Sequence, residues 1–318
     1  MHSKLLRYVI ITIVLILSYG FITYKIIHFE ELKTFDFRQF LNTPSSFSLL
    51  LIILMLMVVN WAIEAYKWQM LIHKTQHFSF TNSFKAVLVG ITVGVFTPNR
   101  VGEIGGRIAF LEKGKRTSGA FASAIGSFAQ FIATIIMGVA GFILFLLFFP
   151  DKTQINTYLN KFSAIALLLV LALLVWSYYN VRKIIPLLIK IPFLKKKSEQ
   201  IQYVSNETGK FLSLVLFLST LRYLVFFLQF FLLLNLFNVD INLLEGFVSI
   251  SITYLFMTII PTTTLIELGL RGSLAILFIG LFSENILGIV LASFFIWIIN
   301  IAIPAVLGSF YLLKHKRQ

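Results

Sequence analysis

Cysteine is absent from all 318 residues, which removes disulfides, thiolate nucleophiles and cysteine-ligated metal from consideration. Charge is scarce too: Asp, Glu, Lys and Arg make up 13% of the chain, against about 25% in soluble domains. Acid is the scarcer sign, with 13 Asp and Glu against 27 Lys and Arg and a net charge of +14. In a soluble protein that surplus would point to nucleic acid. Here Lys and Arg gather in loops beside apolar runs, so cytoplasmic loop bias and attraction to anionic headgroups account for it, and no nucleic-acid partner is expected. The five histidines, His2, His28, His73, His77 and His315, lie near ends or in loops. His73-x-x-x-His77 has no acidic ligand nearby, so no metal and no cofactor are expected. There is neither a phosphate-binding glycine loop ending in lysine nor a G-x-S-x-G elbow, and the chain is not expected to be an enzyme or to drive transport with ATP by itself.

What is abundant is apolar: 58% of residues are hydrophobic, with 34 Phe, and the mean hydropathy is +0.90. Lipid is then the natural solvent, and the fold class follows as an all-α polytopic membrane protein forming a single transmembrane domain over 1–318. Six runs are long enough to cross the hydrocarbon layer, which takes about 20 helical residues: 5–27, 46–70, 118–149, 162–181, 211–237 and 286–313. The first has basic residues before it but no small-residue cleavage site after it, and reads as a retained span rather than a signal peptide. The third carries Gly119, Ala122, Ser123, Gly126, Ser127, Ala133, Gly138 and Gly141, a pattern that suits close helix packing. Trp61, Trp68, Tyr178 and Tyr179, near span ends, suit interfacial anchoring.

Two stretches break the pattern. Residues 83–97 and 246–260 are apolar but only about 22 Å long as helix, and each is closed by a proline, Pro98 and Pro261, that cannot continue the hydrogen-bond ladder. A second short helical piece follows each, about 103–112 and 267–283. Two short helices in series predict a re-entrant hairpin whose irregular tip is buried in protein or lines a polar cavity. Thr97, Thr262, Thr263 and Thr264 stand where backbone groups are freed by the breaks. The basic residues Lys67, Lys74, Lys85, Lys113, Lys115 and Arg116 flank the first hairpin, and the loop 182–210 is also basic; both are read as cytoplasmic, as are both termini. The second hairpin is flanked by Asp240, Glu245 and Glu284 and is read as entering from outside. The order span, span, hairpin, span occurs twice, about 1–150 and about 151–318. An odd number of crossings inverts the second copy, which is the plan of many secondary transporters.

Each hairpin carries an acid–base pair four residues apart: Glu103 with Arg107, and Glu267 with Arg271, so each pair shares a helix face. Even on mild insertion scales a charge at membrane depth costs about 2.5–3.5 kcal/mol. Two readings stay open. In one, each pair only offsets its own desolvation. In the other, the tips meet and present Arg100, Arg107 and Arg271 to a phosphate while Glu103 and Glu267 hold the guanidiniums or engage a cationic headgroup, a task that suits arginine's planar fork. Arg222, within the fifth span, and Glu64, in the second, are candidates for the same cavity; Asn60, Gln130 and Gln229 are expected to be hydrogen-bond partners between helices.

The run Pro98-Asn99-Arg100-Val101-Gly102-Glu103, followed by Arg107 and Leu111, resembles the flippase-like family typified by the transmembrane region of lysylphosphatidylglycerol synthase. The commoner second motif of that family, P-x-T-P-G-G-x-G-x-x-E, reads here Pro261-Thr262-Thr263-Thr264-Leu265-Ile266-Glu267-Leu268-Gly269-Leu270-Arg271-Gly272. The proline, Gly269 and Arg271 stay, the paired glycines are Leu265 and Ile266, the usual glutamate position is Gly272, and Glu267 takes the acidic role from a new place. The resemblance implies movement of a charged lipid across the bacterial cytoplasmic membrane. It implies a partnership with membrane lipids, with an anionic or zwitterionic headgroup as cargo, and with a separate lipid-modifying enzyme in place of the aminoacyl-transferring domain fused to some members, for which Gln318 is expected to leave no room. Two alternatives are kept: an integral-membrane transferase acting on a polyprenyl-phosphate lipid, with Glu103 or Glu267 as base, and a non-transporting partner of a lipid-modifying enzyme.

Overall fold

In hydrocarbon every backbone amide has to find its acceptor within the protein, and a helix does so within one segment. The computed structural model describes residues 44–95, 97, 100–152, 157–188, 207–260 and 264–314, and among them there is helix and no strand. The elements are α1 (Pro44–Ile72), α2 (Phe80–Gly94), α3 (Gly102–Ile108), α4 (Arg116–Phe148), α5 (Thr157–Tyr179), α6 (Val181–Leu188), α7 (Gly209–Leu236), α8 (Leu243–Ile259), α9 (Thr264–Ile279), α10 (Ile286–Trp297) and α11 (Ile303–Lys314). Five stretches are long and apolar enough to cross a membrane: Ser46–Ile72, Lys113–Phe148, Phe162–Tyr179, Gly209–Leu236 and Ile286–Leu313. They match five of the six expected spans. The sixth, 5–27, lies outside the described residues, as do Pro98, Pro261, Thr262, Thr263, most of the 182–210 loop and the last four residues of the tail.

The two interrupted stretches are each a pair of short helices, α2 with α3 and α8 with α9. Their starts are written in local chemistry. Ser79 accepts the Asn82 amide at the head of α2, and α8 begins with a capping box in which Asn242 and Glu245 each accept the other's amide. At the break before α3, Thr97 Oγ1 accepts from the Gly102 amide at 2.7 Å and donates to the Gly94 carbonyl at 3.0 Å, which is the backbone-satisfying role anticipated for it.

Packing is reciprocal between the halves. Helix α1 lies against α7; α2 lies against α11, and α8 against α4, so the first helix of each interrupted stretch sits on the last membrane-length stretch of the other half. Glycines set these distances. A Cβ on Gly106 of α3 would lie 2.6 Å from the Gly90 Cα of α2, one on Gly308 of α11 would lie 2.2 Å from the Leu88 carbonyl oxygen, and one on Gly138 of α4 would lie 2.6 Å from the Leu255 Cβ of α8. The small residues of α4 therefore pack, as expected. The anchoring role expected of three aromatic residues is corrected: Trp61, Trp68 and Tyr178 are buried inside the bundle. Trp68 Nε1 donates to Ser123 Oγ at 3.0 Å and the Tyr178 hydroxyl to the Leu212 carbonyl at 2.9 Å, so these rings belong to α1–α4 and α5–α7 contacts.

Between α10 and α11 the helix loosens into a π-turn, Ile298–Ala302. Pro304 has no amide to give to the carbonyl four residues back, and the wider turn absorbs that loss. It also leaves Asn300 buried at the centre of the bundle.

Neighbouring glycines separate packing from propensity. Gly106→Ala should lower the apparent melting temperature of the detergent-solubilised protein, by the equivalent of about 1–3 kcal/mol of overpacking. Gly105→Ala, whose Cβ would meet nothing within 4 Å, should leave it unchanged or raise it. Equal melting of the two variants would contradict the α2–α3 contact.

Candidate functional site

Residues 60, 64 and 67 follow the i, i+4, i+7 spacing of one helix face, and on α1 that face carries Asn60, Glu64 and Lys67 into the middle of the bundle. They are 1%, 3% and 1% exposed. Helix α3 adds Glu103 and Arg107, α7 adds Ser219 and Arg222, and α4 adds Gln130.

Glu64 is the hub. Its Oε1 accepts Arg107 Nη1 at 2.7 Å, and its Oε2 lies 2.7 Å from Lys67 Nζ and 3.2 Å from Arg222 Nη1. Arg107 Nη2 then reaches Glu103 Oε2 at 3.1 Å, and Arg100 Nε pairs with Glu103 Oε1 at 2.8 Å. Lys67 completes its ammonium by donating to Ser219 Oγ at 3.2 Å and to the Gly126 carbonyl at 3.4 Å. Arg222 Nε donates to Asn60 Oδ1 at 2.7 Å, Asn60 Nδ2 to Asn300 Oδ1 at 3.4 Å, and the Arg222 guanidinium lies 4.8 Å from the Trp61 ring centre. The chain of contacts thus runs from the break before α3 to the π-turn before α11.

Four cations, Lys67, Arg100, Arg107 and Arg222, share two carboxylates, Glu64 and Glu103. Lys67 and Arg107 are buried, while the Arg100 and Arg222 side chains are 27% and 19% exposed. A buried ion without a counter-charge costs several kcal/mol, so the surplus of two positive charges favours an anion at its accessible edge. Arg100 adds strain: its φ of 57° is left-handed, a conformation that costs a non-glycine residue about 1–2 kcal/mol.

The second pair is balanced. Arg271 Nη2 meets Glu267 Oε1 at 2.5 Å, and its Nη1 donates to the Tyr254 hydroxyl at 3.3 Å, with both charged side chains buried. A cavity of about 170 Å³ lies between α1, α4, α7 and α8, room for several waters or a small polar group. Its walls include Asn60, Gln130 and Arg222 from the first group, and Tyr254, which also holds Arg271, from the second.

Of the seven expected site residues, Glu64, Arg100, Glu103, Arg107 and Arg222 form one network, while Glu267 and Arg271 form the other. The polar contacts of Arg107 are with Glu64 and Glu103 and those of Arg271 are with Glu267 and Tyr254; Arg222 is the guanidinium that reaches the cavity. Asn60, Gln130 and Gln229 do bond between helices, Gln229 to the Ile53 carbonyl at 3.0 Å, but Asn60 and Gln130 also line the cavity. Lys67, read as part of a basic flank, is corrected to a buried member of the network; its place three residues after Glu64 was the available signal. Tyr254 had none, since nothing local marks a tyrosine 17 residues from its arginine.

Residues 5–284 match the family described as the lysylphosphatidylglycerol synthase TM region. No curated protein matches the chain.

The charge surplus gives an asymmetric prediction. Glu64→Gln leaves three cations facing a neutral amide and should destabilise the protein by about 3–5 kcal/mol, the cost of breaking a buried pair. Lys67→Met removes one surplus charge and should lower the melting temperature in detergent much less. A larger loss for Lys67→Met would contradict the surplus.

Proposed function

Because the chain belongs to the family of the lysylphosphatidylglycerol synthase transmembrane region, we propose that it carries the charged headgroup of a lipid across the membrane through the cavity at Arg222. Membership itself gives the protein a role connected with membrane lipids. The step from that role to translocation is supported by one observation above all: four cations share two carboxylates, and one of the four, Arg222, lies on a cavity wall. A lipid phosphodiester there sets one negative charge against the surplus of two, and the arginine fork suits it by two parallel hydrogen bonds. The acyl chains stay in the bilayer while the headgroup passes.

The reciprocal packing of the halves supports an inverted repeat, and the length of α2, about 22 Å as helix, supports a re-entrant hairpin. Alternating access then follows from one half rocking on the other. The link from Arg222 through Asn60 to Asn300 ties headgroup binding to the π-turn, and α11 beyond it holds α2, where Thr92 Oγ1 donates to the Ala305 carbonyl at 2.8 Å. Lys113, Lys115 and Arg116 after the first hairpin, against Asp240, Glu245 and Glu284 around the second, support a cytoplasmic membrane orientation in which the hairpins enter from opposite sides. The site is read as one that binds and carries rather than catalyses, since Glu64 and Glu103 are both engaged by guanidiniums; a separate enzyme would make or consume the cargo.

Vesicles holding the purified protein and an acyl-labelled phospholipid test this with an impermeant reductant outside. The protein should expose inner-leaflet label faster than empty vesicles do. Arg222→Gln should slow that transfer about tenfold or more, the equivalent of one charge-assisted interaction of about 1.5–3 kcal/mol. Arg107→Ala should abolish it at unchanged protein content. Rates equal to those of empty vesicles for every anionic and zwitterionic phospholipid tried would overturn the proposal.

A further inference from the structure

The charged side chains around Glu64 differ in whether a proton can come and go near neutral pH. The guanidiniums of Arg100, Arg107 and Arg222 keep their protons in any protein. Glu64 faces Lys67, Arg107 and Arg222, and Glu103 faces Arg100 and Arg107, so protonating either carboxylate would strand the cations around it. Lys67 is left. Lysine is the cation that changes charge readily once buried, and this one is enclosed on every side.

Its surroundings tolerate the loss of a proton. Glu64 would keep two partners, Arg107 Nη1 on Oε1 and Arg222 Nη1 on Oε2. Ser219 Oγ gives its own proton to the Val215 carbonyl at 2.9 Å, so it only accepts from Lys67. A neutral amine retains two N–H groups, enough for Glu64 at 2.7 Å and Ser219 at 3.2 Å. The longest contact, 3.4 Å to the Gly126 carbonyl, is to an oxygen that also accepts within α4. Charge reaches Lys67 from Glu64 on α1, from Glu103 and Arg107 on α3 with Arg100 at the break before it, and from Arg222 on α7. Helix α4 faces it with Gly126, and the charged side chain of α2, Lys85, lies over the Tyr311 ring of α11 instead.

Charge conservation then ties Lys67 to the cavity. Glu64 Oε2 touches Lys67 Nζ and Arg222 Nη1 at once, and Arg222 stands on the cavity wall. With Lys67 as an amine and the cavity empty, three guanidiniums against two carboxylates leave a surplus of one positive charge. With Lys67 as an ammonium and a lipid phosphodiester at Arg222, four cations against three anionic groups leave the same surplus. A phosphate that arrives together with a proton therefore leaves the charge inside the bundle unchanged.

Resting on the translocation reading, we infer that Lys67 couples each lipid phosphate to one proton. It takes the proton from water as the phosphate settles on Arg222, and returns it to water on the side where the phosphate leaves. Transfer of a lipid with one negative charge is then electroneutral, and a pH gradient rather than the membrane potential drives it.

Calorimetry counts the proton without any transport. Dihexanoyl-phosphatidylglycerol, whose phosphodiester does not titrate near neutral pH, is added to the full-length protein in detergent, in buffers of different ionisation enthalpy. Wild-type protein should take up protons on binding and should bind more weakly as pH rises, by up to about tenfold per pH unit, the limit for one coupled proton. Lys67→Arg, always charged, and Lys67→Met, never charged, should take up none, and the arginine variant should bind more tightly than the methionine one. In vesicles with acyl-labelled phosphatidylglycerol, an acidic outside should speed inward transfer by wild-type protein while a potassium diffusion potential does not. Lys67→Met should respond to the potential and not to the pH gradient. The wild-type measurements decide the matter even if a variant fails to fold. Binding by wild-type protein without proton uptake, or uptake that Lys67→Met retains, overturns the coupling. Transfer that follows the potential and ignores the pH gradient overturns it while leaving translocation intact. Proton-linked binding without transfer of lipid overturns translocation and leaves the role of Lys67 standing. Absence of binding at every pH overturns both.

Discussion

Glu64 is a single carboxylate set among three cations from three helices. Lys67 belongs to its own helix, Arg107 to the short helix after the first break and Arg222 to the long helix of the second half. Electrostatics of this kind is a poor source of net stability, because desolvating each ion costs several kcal/mol, but it is strict about arrangement: removing one partner strands the others. The cluster therefore fixes how α1, α3 and α7 meet, and it leaves a positive remainder. The fold holds that remainder in place with neutral groups, Asn60, Gln130 and Ser219, and an indole ring, Trp61, rather than with a third acid.

The rest of the bundle serves that arrangement. Glycines let α3 lie on α2 and α11 lie on α2 at distances no Cβ would allow, which brings Glu103 and Arg107 within reach of α1. The π-turn before Pro304 puts Asn300 against Asn60. Arg222 therefore holds a side chain, Asn60, that is hydrogen-bonded to a loosened turn, and the helix after that turn packs on α2. π-turns within helices are frequent at functional sites, which makes this one a candidate link between Arg222 and α2.

Much of this was legible in the sequence, and the reasons for the gaps are physical. Long apolar runs report spans because hydrocarbon thickness sets their length, and five of the expected runs appear where they were placed. Threonine and glycine at the break report its chemistry, as Thr97 shows. Acid and base four apart report a shared helix face, and both pairs form. Depth is what local pattern does not report. Lys67 at the end of an apolar run looks like a flank, and Trp61 and Trp68 look like anchors, because all three belong to residue types common at a membrane surface; only the neighbouring helices turn them inward. Tyr254 is further out of reach, since its link to Arg271 and its place beside Arg222 exist only once α7, α8 and α9 are packed.

The central proposal is that a lipid phosphate at Arg222 offsets part of the positive surplus around Glu64. Native mass spectrometry of the protein released from mild detergent measures this directly. Wild-type protein is predicted to retain a stoichiometric phosphate-bearing lipid that Arg222→Gln, folded to the same extent, does not retain. Wild-type protein free of bound lipid, or a variant that keeps the lipid equally well, would contradict it.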